Sequence, residues 1–188
     1  MLRKDFLRTL SDYVTETVTK QSDVIEREAN VFGLLRFTVE NEIEKEKFLG
    51  LFSEWLVFDR KQEIFNGLTG LEYFIKHNPL RLGSEEIGAY KDLESFEVGY
   101  FEVKEVKMGH GVLLQSVATG LEYFVNDVTA SLSVKKENTL WVRIASVNGT
   151  YHMVGSIFFV MPYKIMPGMR YAISKWKKNS LNAKEIAS

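Results

Sequence analysis

The chain has 188 residues, with 24 Lys and Arg against 25 Asp and Glu, a formal net charge of −1, and no cysteine. Hydrophobic residues are 45% and charged residues 26%, which excludes a disordered polyelectrolyte and allows a real core. The missing cysteine excludes disulfides, thiol catalysis and cysteine-ligated metal.

Residues 1–60 are predicted helical. Leu2, Phe6, Leu10, Tyr13 and Val14 recur at three- and four-residue steps and share a face. A second helix is predicted over Glu40–Phe58. Its stripe is Ile43, Phe48, Leu51, Phe52, Trp55 and Leu56, and Glu42, Glu44, Lys45, Glu46 and Lys47 form its wet side. Asn66-Gly67 predicts a turn, and a helix follows over Thr69–His77. Asn78-Pro79 ends it, because the residue before proline avoids the helical region. A short helix over Ser84–Leu93 closes this half.

From Ser95 the period becomes two. Phe96, Val98 and Tyr100 alternate, and a slip at Tyr100-Phe101 predicts a bulge. Strands follow over Val112–Val117, Leu121–Val125, Thr129–Val134, Thr139–Val147 and Thr150–Met161, the last interrupted near Gly155. The uncharged run Ile144–Tyr163 is long enough to test as a membrane span. Asn148-Gly149 lies inside it, however, and Asn-Gly between apolar runs predicts a hairpin. Asn148-Gly149-Thr150 is also a glycosylation sequon. The charged N-terminus lacks a signal-peptide core, so the turn reading is preferred and a cytoplasmic protein is expected.

The expected fold class is α+β. A helical N-terminal half, 1–94, packs on a small antiparallel SH3- or OB-like β-barrel, 95–162, with 1–162 sharing one core. A basic helical segment, 163–188, completes the chain. That segment has six bases and one acid, whereas 1–60 and 61–162 each have nine bases and twelve acids. The near-neutral total therefore conceals a basic tail on an acidic body.

Thr69-Gly70-Leu71-Glu72-Tyr73-Phe74 recurs as Thr119-Gly120-Leu121-Glu122-Tyr123-Phe124. The flanking sequences differ, so the expectation is two different local structures rather than a tandem repeat.

Glu54-Trp55-Leu56-Val57-Phe58-Asp59-Arg60, followed by Gly67-Leu68-Thr69-Gly70-Leu71-Glu72-Tyr73-Phe74-Ile75, resembles a pattern in poorly characterised bacterial proteins. There a Trp-x-x-Phe-Asp helix end precedes a Gly-x-Thr-x-Leu-Glu helix and a small β-barrel. Leu113-Leu114-Gln115-Ser116 and Gly120-Leu121-Glu122-Tyr123-Phe124-Val125 resemble that group's barrel strands. Some members carry a SEC-C zinc motif like the tail of the SecA translocase; without cysteine, this chain lacks it. The resemblance covers about residues 48–162 and implies no catalytic residue.

The chemistry-bearing residues give no catalytic constellation. His77, His110 and His152 have no metal-pair spacing, so no metal or other cofactor is expected. Gly109-His110-Gly111 lies between strands, whereas a phosphate cradle needs a following helix N-terminus. Gly155-Ser156 does not complete a nucleophile elbow. Glu40, Glu42, Glu44 and Glu46 fan around a helix. Asp59-Arg60 reads as a helix-end ion pair or cap in preference to a catalytic acid. The 95–162 region has nine aromatics but only five bases against six acids, which argues against nucleic-acid binding there.

The leading expectation is a non-enzymatic binding or adaptor protein with a protein partner. A nucleic-acid-associated protein using the tail is the alternative, with Lys175, Trp176, Lys177 and Lys178 as binding candidates. An enzyme with a site at the helix–barrel junction is a third reading. Oligomeric state is not specified.

Overall fold

A computed structural model describes residues 6–33, 42–155, 157 and 159–161. The chain divides into two compact units. One contains Met1–Phe96, Ala145–Gly149 and Val154–Ser156; the other contains Glu97–Ile144, Thr150–Met153 and Ile157–Ser188.

The first unit is built from helices. Helix α1, Phe6–Thr19, buries Leu10, Val14 and Val18, one residue per turn. Helix α2, Ser22–Phe32, ends at Gly33, whose φ of 89° lets its N–H reach Ala29 and Asn30. Helix α3, Glu42–Phe58, buries Phe52, Leu56, Val57 and Phe58 near its C-terminus. A 3₁₀ turn, Glu63–Phe65, leads to α4, Gly70–His77. The Thr69 side chain caps α4 by accepting from the Glu72 amide, and the Glu72 carboxylate accepts from the Thr69 amide. Asn78, at φ 41°, ends α4 where the Asn-Pro pair predicts. Helix α5, Ser84–Asp92, is tied to α1 by the Tyr90 hydroxyl, which donates to the Phe6 carbonyl at 3.0 Å. Ala145, Val147 and Val154 join this unit's core.

The second unit is a sheet. Its strands are β1 (Phe96–Lys107), β2 (Gly111–Ser116), β3 (Glu122–Val125), β4 (Thr139–Val147), β5 (Thr150–Met153) and β6 (Phe159–Met161). Phe101, Val103, Val112, Leu114, Val125, Leu140, Val142 and Ile144 form its core with Ala130 and Val134. The alternation of Leu140, Val142 and Ile144 places one face of β4 inward. Asn148 (φ 51°) and Gly149 (φ 75°) take the left-handed conformations that the Asn-Gly hairpin predicts. The long uncharged run thus includes the end of β4, this turn and β5. Among the described residues, no helix is long and apolar enough to cross a membrane.

The small antiparallel SH3- or OB-like barrel is not what forms. The strand order is β1-β2-β3-β5-β4-β6, with a further pairing of β1 to β4. The sheet is mixed, since β3 and β5 run parallel through Val125 and Tyr151. β6 stands at an edge beside β4, and the sheet does not close into a barrel. One cause lies in the segment expected as a strand over Thr129–Val134. It is a helix, α6 (Val128–Ser133), capped by the Asp127 carboxylate, which accepts from the Ala130 amide at 2.7 Å. Turning this segment into a helix removes a strand and its hairpin from the expected meander. The bulge also moves: the β1–β2 register shifts between Val103 and Glu105 rather than at Tyr100-Phe101.

Candidate functional site

The helical unit holds a cavity of about 240 Å³. α1 supplies Leu7, Arg8 and Ser11, and α3 supplies Gly50, Ser53, Glu54, Val57 and Phe58. Gly155, after β5, completes the lining. Ser11 lies one position beyond Leu10 on the buried stripe of α1, so its side chain faces the boundary between core and solvent.

Two features give the cavity its chemistry. The first is a chain of hydroxyls: Ser11 Oγ lies 2.7 Å from Ser53 Oγ, which lies 3.0 Å from Thr15 Oγ1. Each hydroxyl has one hydrogen to donate and two lone pairs, so Ser11 can present a donor or an acceptor to a guest. The second is Glu54, whose Oε2 is shielded from solvent. Its carboxylate lies directly against Gly155, where an added Cβ would overlap it. Glycine at 155 is therefore what admits the carboxylate to this position. Leu7, Val57 and Phe58 supply apolar walls. Arg8 adds a cation to the lining; its side chain is 81% exposed and its Nε lies 3.5 Å from Asp12.

A second polar cluster fastens the same unit. Glu28 is 1% exposed and accepts from Arg60 Nε at 2.6 Å. Arg60 also stands over the Trp55 ring, 5.5 Å from its centroid. The hydrogen bond to Glu28 raises the Arg60 pKa above its ordinary value. The Asp59-Arg60 pair was expected to act at the helix end; Arg60 instead reaches across to α2. Glu28 is buried but Arg60 is 33% exposed, so breaking this part-buried pair should cost less than the ~3–5 kcal/mol of a fully buried one; the cluster fastens α2 to the end of α3. Sequence reasoning missed Glu28, although a signal existed. It lies four residues after buried Val24, so it falls on the inward face of α2 and needs a partner there.

In the sheet unit, the Tyr123 hydroxyl donates to Glu97 Oε2 at 2.6 Å. That hydrogen bond, with burial, pushes the Tyr123 pKa up to about 12. The phenol is thus held protonated, which suits a structural tie and opposes a role as a base.

The remaining sequence candidates are dispersed. Exposed His77 stacks on Tyr73 at 4.0 Å, on α4. His110 is exposed in the β1–β2 turn, and His152 is half-buried in β5. Asp59 is exposed just beyond α3. Among the described residues, no group of three His, Asp or Glu could hold a metal ion. Lys175, Trp176, Lys177 and Lys178, with the expected basic helix, lie outside the described residues. The cavity residues were not singled out as a site, because nothing in local spacing joins positions 7–11, 50–58 and 155. No protein-family model, curated protein or solved structure matches the chain.

Proposed function

We propose that the chain is a non-enzymatic binding or adaptor protein that takes a compact group of its partner into the helical-unit cavity. The observation that carries this reading is the lining itself. Apolar walls at Leu7, Val57 and Phe58 surround a few placed polar groups at Ser11, Ser53 and Glu54. Such a combination binds by apolar burial and selects by hydrogen bonding. The volume of about 240 Å³ lies below the ~300–1,000 Å³ usual for small-molecule pockets, which suits a side chain or a small end group.

Affinity capture tests the reading. Gly50→Leu would place a bulky side chain in the lining. The full chain and this variant, both checked for folding by circular dichroism, are used as bait in nuclease-treated and untreated lysates. A protein retained by the native chain in both lysates and lost with the variant supports the reading. Capture that is nuclease-sensitive and indifferent to Gly50→Leu overturns it in favour of nucleic-acid association.

A further inference from the structure

We propose that Asn148 is a site of spontaneous deamidation, a slow covalent modification that releases the β4–β5 turn from the end of α5. It lies apart from the cavity and needs no partner. The sequence has two Asn-Gly pairs, Asn66-Gly67 and Asn148-Gly149. Asparagine before glycine is the reactive order, because the attacking backbone nitrogen belongs to a residue with no Cβ to block its approach. All four residues are exposed, and a Cβ on either glycine would meet nothing within 4 Å. Exposure therefore does not separate the two pairs; the hydrogen bonding of the attacking nitrogen does.

The Gly67 N–H donates to the Gln62 carbonyl at 2.8 Å. Its loop is closed again by the Gln62 N–H, which donates to the Leu68 carbonyl at 3.0 Å, and is anchored by fully buried Phe65. Attack from Gly67 must first break into this ring of bonds. The other turn is a two-residue hairpin loop, closed by the residues that flank the pair, Val147 and Thr150. Its further anchor is the Asn148 N–H, which donates to Asp92 Oδ2 at 2.8 Å. Neither of these bonds occupies the Gly149 nitrogen.

The step is balanced with water as its one co-reactant. The Gly149 nitrogen gives up its proton and attacks Asn148 Cγ. The N–Cγ bond forms, the Cγ–Nδ2 bond breaks, and ammonia leaves with the proton, so a cyclic imide remains. Water adding at Cγ reopens the ring to aspartate. Water adding at the main-chain carbonyl carbon breaks the original peptide bond and leaves isoaspartate. Both products put a new carboxylate next to Asp92, whose Oδ2 holds the Asn148 amide, and like charges there repel. Isoaspartate also adds a methylene to the main chain beside Val147, a buried residue of the helical core.

The full chain is aged in mildly alkaline buffer, folded and in urea, and mapped by peptide mass spectrometry with fragmentation that distinguishes isoaspartate. In the folded chain, conversion at Asn148 should be at least about fivefold faster than at Asn66, the factor that one ordinary hydrogen bond supplies. In urea the two should convert at similar rates, because glycine follows both. Equal or faster conversion at Asn66 in the folded chain would overturn the proposal. So would a folded Asn148 that stays intact while the unfolded one converts. The aged chain and Asn148→Asp should both unfold at lower temperature than fresh protein, and Asp92→Asn should recover part of the loss in Asn148→Asp. An aged chain converted at Asn148 with unchanged unfolding temperature would overturn the release of the turn.

Discussion

The same six residues, Thr-Gly-Leu-Glu-Tyr-Phe, build a helix start in one unit and a turn and strand in the other. At 69–74 the threonine is an N-cap, the glutamate closes the capping box, and Leu71 and Phe74 lie buried three apart on α4. At 119–124 Gly120 sits at φ 79°, and the Thr119 hydroxyl accepts from the Leu121 amide at 3.3 Å. There Leu121, just before β3, is 59% exposed and Phe124 within it 37%, while Tyr123 turns toward Phe101 and Tyr151. Helical period buries positions three and six of the hexapeptide; strand period half-buries position five. Identical local preference thus yields to the partners that each face finds.

The largest test of this contrast is at the last position. Phe74→Ala should cost about 3–5 kcal/mol, because it empties a fully buried site. Phe124→Ala should cost under about 1 kcal/mol, chiefly the lost contact with Lys107, whose Nζ lies 4.9 Å from the ring. Urea denaturation with segment-resolved hydrogen exchange would show both, and equal losses would break the contrast.

The glycines sharpen it. A Cβ at Gly70 would lie 2.6 and 2.9 Å from the Val14 methyls, so Gly70→Asn should destabilise the helical unit by about 1–3 kcal/mol through overpacking. At Gly120 nothing lies within 4 Å and only the backbone conformation matters. Asparagine tolerates that region, so Gly120→Asn should cost a few tenths of a kcal/mol or about that. Thermal unfolding of the two variants separates packing from backbone strain.

The smallest effect belongs to the threonines. Thr69→Ala removes a cap and should cost about 1 kcal/mol. Thr119→Ala removes a long hydrogen bond from the Leu121 amide and the hydroxyl's contact with Tyr123 in an exposed turn, and its cost should be about 0.5 kcal/mol. Markedly faster exchange of the Glu72 amide in Thr69→Ala, against a smaller acceleration at the Leu121 amide in Thr119→Ala, is the expected pattern.

What could be read from the sequence was local. Asn148-Gly149, Asn78-Pro79 and the Leu10–Val14 spacing each act through neighbouring backbone, and each forms as expected. α6 was misread because Val128, Thr129, Leu132 and Val134 suit a strand, while the one contrary signal was Asp127 at its cap. Strand order is a non-local property: no residue near Val125 announces a parallel neighbour at Tyr151. The cavity depends on three distant segments meeting, and Gly155 matters there because Glu54 lies against it and because its φ of 105° favours glycine.

The division of the chain has a practical consequence for gene dissection. β4 begins in the sheet unit and ends in the helical one, and the chain returns to each unit afterwards. A fragment ending at Phe96 would lack Ala145, Val147 and Val154, all at most 2% exposed in the helical core. The complementary fragment would carry those same residues with no helices to cover them. No single stop codon or start codon therefore delivers either unit whole. Deletion mapping of a binding activity would register collapse from both directions, and point substitution in the full-length chain is the route that keeps folding and recognition apart.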